Sequence, residues 1–151
     1  MKILAVEDDT MFLAVIKKRL EFAGYEVITA VEGRDGLNKA RSENPDLIIL
    51  DLILPNLNGY RICSMLKRDS KYHNIPIIIL TARSRQADVA EGLKAGADAY
   101  FTKPYDLEDL LVQIKTLLGQ LPEKSPEPQG PGTEEKPKEP ENLNWWEQEE
   151  K

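Results

Sequence analysis

Leu47-Ile48-Ile49-Leu50-Asp51 is the stretch on which the fold turns. Four consecutive Leu and Ile residues leave no polar face, so a strand made from them is covered on both sides, as at the centre of a parallel sheet. Residues 77–80, Ile-Ile-Ile-Leu, repeat the signal. Three further apolar runs lie at 3–6, 26–30 and 99–102, and each of the five is followed by a segment with helical periodicity. Phe12, Ile16 and Leu20 recur at i+4. Leu37 with Ala40, Ile62 with Leu66, and Val89 with Leu93 form shorter stripes, and Leu107, Leu110, Leu111, Ile114, Leu117 and Leu118 form the strongest. The pattern is strand then helix, five times.

The punctuation agrees with the alternation. Gly24, Pro45, Pro76 and Gly96 stand where a helix has ended or a strand begins, and Asn58 and Asp106 are suited to cap the third and fifth helices. Parallel strands need right-handed crossovers, and a closed barrel would need eight units, so five units predict an α/β fold with an open, doubly wound parallel sheet.

Charge divides the chain in two. The net charge is -6, and residues 122–151 hold nine acidic and four basic residues, which leaves 17 acidic and 16 basic residues for 1–121. The same thirty residues carry six of the ten prolines and only three large apolar side chains, Leu143, Trp145 and Trp146. So little apolar surface does not offset the ~1 to 2 kcal/mol per residue that ordering costs, and a Pro/Glu-rich disordered tail ending in a Trp-Trp segment is expected there. A nearly neutral folded part without a basic run gives no electrostatic support to nucleic-acid binding. No apolar stretch is long enough for a membrane span, Glu7 interrupts the start too early for a signal peptide, and Cys63 has no partner for a disulfide, so a cytoplasmic protein is expected.

Open α/β sheets bind ligands at the carboxyl ends of their strands. Here those ends read Glu7-Asp8-Asp9 after the first strand, Asp51 after the third, Thr81-Ala82 after the fourth and Lys103-Pro104 after the fifth. Two carboxylates ~4 Å apart repel by ~4 kcal/mol at an effective dielectric of ~20, and the single charge of Lys103 is not enough to hold Glu7, Asp8 and Asp51 together. All-oxygen donors without His or Cys favour Mg²⁺ over zinc, and Mg²⁺ bound by few carboxylates commonly meets phosphate oxygens. Asp51 is then the candidate nucleophile for an aspartyl phosphate, with the Thr81 hydroxyl, the Ala82 N–H and Lys103 on the phosphoryl group. No P-loop and no dinucleotide-binding glycine motif follows a strand.

The sequences ILAVEDD (3–9), DLILPNLNG (51–59), ILTA (79–82) and GLKAGADAYFTKP (92–104) together resemble the receiver domain of two-component response regulators, a flavodoxin-like (βα)5 fold of strand order 2-1-3-4-5. The resemblance covers residues 1–121 and implies a phosphorylation-dependent switch. On it, Glu7 and Asp8 match the metal-binding acidic pair, Glu7 through water, Asp51 matches the phosphoacceptor, and Ile53 the residue whose backbone carbonyl binds Mg²⁺ or Mn²⁺. Thr81 matches the switch hydroxyl, Lys103 the phosphate-contacting lysine, and Tyr100 the aromatic that turns inward with Thr81. Lys103-Pro104 matches a bond that is commonly cis. Implied partners are a histidine kinase or histidine phosphotransfer protein and a downstream protein target. Asn58 replaces a frequent Asp, and the fifth helix carries Gln113 and Lys115 in place of an Arg-rich face, although Lys94 and Asp98 are present. A monomer or weak phosphorylation-dependent dimer is therefore expected, of the stand-alone type, with no attached DNA-binding effector.

Two rivals bound this reading. A phosphatase of the haloacid-dehalogenase type wants a second Asp two residues after the first, where Ile53 stands, so a signalling phosphoacceptor and not an enzyme is expected. The other rival is a receiver-fold scaffold that is not phosphorylated and works through Trp145-Trp146, adjacent indoles suited to anchor an interface. His73 in its polar turn reads as a solvated loop residue, and Cys63 as a small buried hydrophobe.

Overall fold

The computed structural model of the protein describes residues 1–120. The readings made for the tail, including Trp145-Trp146, lie outside the described residues. Strands and helices alternate: β1 (Lys2–Val6), α1 (Thr10–Phe22), β2 (Glu26–Ala30), α2 (Gly33–Ser42), β3 (Leu47–Leu50), α3 (Gly59–Lys67), β4 (Ile77–Thr81), α4 (Gln86–Lys94), β5 (Ala99–Thr102) and α5 (Leu107–Leu117). The strands form one sheet, all neighbours parallel, in the order β2-β1-β3-β4-β5. This is the flavodoxin-like (βα)5 arrangement.

Side-chain parity explains why the central strands are apolar throughout. Ile3, Ala5, Leu47, Ile49, Ile78 and Leu80 point to one face, where Leu13, Ile16 and Leu20 of α1 and Leu110 and Ile114 of α5 cover them. Their neighbours Leu4, Val6, Ile48, Leu50 and Ile77 point to the other, under Leu37 and Ala40 of α2 and Ile62, Cys63 and Leu66 of α3. Ile79 continues that second face under Val89 of α4, beside Leu52 and Tyr100. A polar residue at either parity would lose its water, which is why β3 and β4 show no alternation. In α1 the buried register is Leu13, Ile16 and Leu20, and Phe12 is only half-buried. Phe12 still packs against the same core cluster as Ile16 and Leu20, and its ring meets that of Tyr105 edge-on with centroids 5.9 Å apart.

Caps fix the helix starts. Asn58 Oδ1 accepts from the Arg61 N–H at 3.0 Å, and Asp106 Oδ1 accepts from the Glu108 and Asp109 N–H groups. Asn44 closes the turn after α2 with a φ of 51°, a left-handed conformation that Asn tolerates better than most residues. Lys103-Pro104 is a cis peptide.

The sheet also carries its ladder one residue past the strands. The N–H of Glu7 donates to Ala30 O at 3.0 Å, that of Asp51 to Val6 O at 3.0 Å, and that of Lys103 to Thr81 O at 2.8 Å. Three of the residues singled out in the sequence are thus held in register by the sheet itself.

Candidate functional site

Glu7, Asp8, Asp51, Thr81 and Lys103 meet at the carboxyl edge of the sheet. One oxygen each from Glu7, Asp8 and Asp51 lies within 4.8 Å of the others, with Glu7 and Asp51 only 5% exposed and Asp8 open to solvent. Lys103 Nζ donates to Glu7 Oε1 at 2.6 Å and to Asp51 Oδ2 at 3.2 Å. Its ammonium also lies 4.2 Å from the centroid of the Phe12 ring, a cation–π contact. The other Glu7 oxygen accepts from the Asp9 N–H at 2.9 Å, and the other Asp51 oxygen from the Ile53 N–H at 3.2 Å.

Electrostatics leave this edge short of positive charge. Burial pushes the Glu7 carboxyl up to about 7; the hydrogen bonds from Lys103 and the Asp9 N–H pull it down, and the Asp51 charge adds to the rise. Burial would lower Lys103, but the hydrogen bond to Glu7 and the charge of Asp51 outweigh it and raise its pKa. One ammonium between two buried carboxylates, with a third beside them, is a site that a divalent cation completes. The donors are all oxygen, as Mg²⁺ or Mn²⁺ requires. Ile53 is half exposed and sits two residues after Asp51, next to the cluster through its N–H.

The local backbone is held by a close approach. A Cβ on Gly59 would lie 2.4 Å from Asp51 O and 2.8 Å from the Cα of Leu52, so the first residue of α3 packs directly on the turn that presents Asp51. Gly59 N–H donates to Leu52 O at 3.1 Å, closing the loop.

The β4 edge is built differently. Thr81 is fully buried, and its Oγ1 accepts from the Arg83 N–H at 3.4 Å; Ala82, next in the chain, is exposed. Tyr100 is 3% exposed, with its ring already inside, and its hydroxyl donates to Arg83 O at 2.8 Å. Gly92 of α4 makes the room, since a Cβ there would be 2.9 Å from Tyr100 Cε2. Arg83 in turn reaches Asp88 Oδ1 at 3.4 Å, and Asp88 accepts from the Tyr60 hydroxyl through its carbonyl at 3.1 Å. Burial, helped by the Asp88 charge, pushes Tyr60 up to about 12, so it stays a donor.

Sequence reading missed three of these parts. Asp9, which has no role assigned from the sequence, accepts at its Oδ1 from the Met11 and Phe12 N–H groups at 3.1 Å and caps α1. Its place before an apolar helix was the available signal, obscured by three acids in a row. Phe12 under Lys103 and the Tyr60–Asp88–Arg83 chain are contacts between distant segments that no local pattern marks. His73 is exposed and Cys63 fully buried.

Residues 3–115 match the response regulator receiver domain family, and the chain belongs to it. Receiver domains bind Mg²⁺ at an acidic pocket, and Glu7, Asp8 and Asp51 form such a cluster here. The response regulator ArlR of Staphylococcus saprophyticus is 44% identical over 124 residues, 82% of this chain and 55% of that protein. The DNA-binding dual master transcriptional regulator RpaA of Synechocystis sp. is 41% identical over 117 residues, 78% of this chain and 48% of that protein. The chain thus spans about half the length of these relatives. Among solved structures, a CheY-like response regulator receiver domain protein from Methanospirillum hungatei superposes with a TM-score of 0.74 at 35% identity, covering 79% of this chain and 94% of that one. Among the described residues no helix is long and apolar enough to cross a membrane.

Proposed function

We propose that residues 1–121 act as a phosphorylation-dependent switch that takes a phosphoryl group from a histidine kinase or histidine phosphotransfer protein onto Asp51. The observation that carries the reading is a buried Asp51 carboxylate 3.2 Å from the Lys103 ammonium, inside a triad of carboxylates whose donor atoms lie within 4.8 Å. In this reading an Asp51 carboxylate oxygen attacks phosphorus, the donor's P–N bond breaks, and its electron pair stays with the imidazole ring. Glu7 (through water), Asp8, Asp51 and the Ile53 carbonyl are the residues that would hold Mg²⁺ or Mn²⁺. When bound, the ion supplies positive charge to the phosphoryl oxygens.

Lys103 balances the same charge from the other side, released from Asp51 toward a phosphoryl oxygen. The Thr81 hydroxyl, whose oxygen accepts from the Arg83 N–H, and the Ala82 N–H are the remaining donors. Because the Tyr100 hydroxyl holds Arg83 O, a movement of that turn is felt by the α4-β5-α5 face, where a downstream protein would read it. Asp98, on that face, is committed to Lys67 at 2.9 Å and to the Ile77 N–H at 2.8 Å, which favours a monomer or a weak dimer.

The test uses a small-molecule phosphoramidate with Mg²⁺. Wild type becomes labelled and Asp51→Asn does not. Equal labelling of both ends the proposal, and labelling of neither favours the unphosphorylated scaffold.

A further inference from the structure

The α1–α5 side of the molecule carries an apolar groove that the signalling site does not use. It is lined by Phe22, Leu107 and Leu111, with Lys18, Arg19 and Glu21 at its border. Phe22, at the end of α1, is 95% exposed. A phenylalanine left in water forgoes most of the gain that burial of a large apolar side chain yields, so a cover for it has a sizeable driving force. The border is also unbalanced. Glu21 is paired with Lys17 at 2.9 Å, whereas neither Lys18 nor Arg19 makes a salt bridge among the described residues.

The chain contains a segment complementary to this groove. Residues 141–150 read Glu-Asn-Leu-Asn-Trp-Trp-Glu-Gln-Glu-Glu, with Leu143 and two adjacent indoles between acids and no basic residue. Apolar anchors match the floor, and the acids match Lys18 and Arg19. Connection favours the pairing as well. Leu111 and Gln120 are nine residues apart, about 14 Å along a helix at ~1.5 Å per residue. Twenty-four residues separate Gln120 from Trp145, and a flexible chain of that length has a root-mean-square span of about 25 to 30 Å, more than that distance. Tethering at this length makes the contact intramolecular, at an effective concentration on the order of millimolar.

We infer that the Trp145-Trp146 segment docks on its own domain, in the α1–α5 groove around Phe22, with its glutamates on Lys18 and Arg19. The inference does not rest on phosphorylation of Asp51.

Both tryptophans of the chain lie in this segment, so intrinsic fluorescence reports on it alone. The experiment compares full-length protein with a synthetic peptide of residues 141–151 for emission maximum and acrylamide quenching. Docking gives blue-shifted emission and weaker quenching in the full chain, the same at all protein concentrations. Phe22→Ser, at a surface position, and the double reversal Lys18→Glu with Arg19→Glu each return both readings to those of the peptide. Peptide-like emission in wild type overturns the inference, as does protection that survives both variants. Protection that grows with protein concentration overturns it too, since the occupant would then be a second copy.

Discussion

Lys103 Nζ stands 2.6 Å from Glu7 Oε1, the shortest link between the two ends of the domain's chain at this site. Removing the ammonium leaves Glu7 and Asp51 buried, close and alike in charge. Lys103→Met, which keeps an unbranched side chain of similar length, should destabilise the protein by about 1 to 3 kcal/mol without divalent ions, less than for a fully dry pair because the exposed Asp8 borders the site. Adding Glu7→Gln to it should restore part of the loss. Urea unfolding of the two single variants and the double variant provides the cycle, and strictly additive losses would show that the pair is not coupled.

Mg²⁺ should stabilise wild type, since an ion that binds only the folded chain adds about 2.7 kcal/mol at a hundred times its Kd. Thermal melts with Mg²⁺ and with EDTA should separate for wild type and coincide for a variant with Asp8→Asn and Asp51→Asn. Separation that persists in the variant would move the ion elsewhere.

Gly59→Ala should cost about 1 to 3 kcal/mol, because the new Cβ meets backbone atoms of Asp51 and Leu52 that cannot rotate away. The loss of stability should come with loss of labelling at Asp51 at temperatures where the variant is still folded. Calorimetry and the phosphoramidate assay, run on the same preparation, check both halves.

Cys63 gives a pH signature. Burial pushes its thiol from the usual 9 up to about 12, and its Sγ donates to Ala95 O at 3.6 Å. The unfolded chain ionises first, so this contribution to stability is intact below pH 9 and is lost as pH rises from 9 towards about 12. Iodoacetamide at pH 8 should leave the native thiol unmodified and alkylate it readily in denaturant. In Cys63→Ala the alkaline fall in stability should be shallower.

The sheet could be read from the sequence because Leu47, Ile48, Ile49 and Leu50 have no polar alternative, and a chain buried at both parities fits only a centre covered by helices. The rim was readable for a related reason: four of the five strands end where apolar residues give way to Glu7, Asp51, Thr81 or Lys103. What local pattern could not supply was direction. Asp9 and Asp8 are adjacent acids, yet one turns back to cap α1 and the other faces the site, a difference set by backbone angles. The helical spacing of Phe12 to Ile16 marks its packing against the core, but not that its ring also closes the seam between α1 and Lys103. That seam exists only after the 90 intervening residues have folded.

The terminal rungs of the sheet have a wider meaning. Glu7, Asp51 and Lys103 each spend their peptide N–H on the neighbouring strand or its end, so the spacing of the charged groups inherits the tolerance of the ladder and owes little to loops. A loosened strand β3 would first be felt as a blurred charge pattern at the rim, well before the molecule melts. The charge pattern of the rim and the integrity of the sheet are in this way one mechanical property, and slow amide exchange at these three positions is its physical gauge.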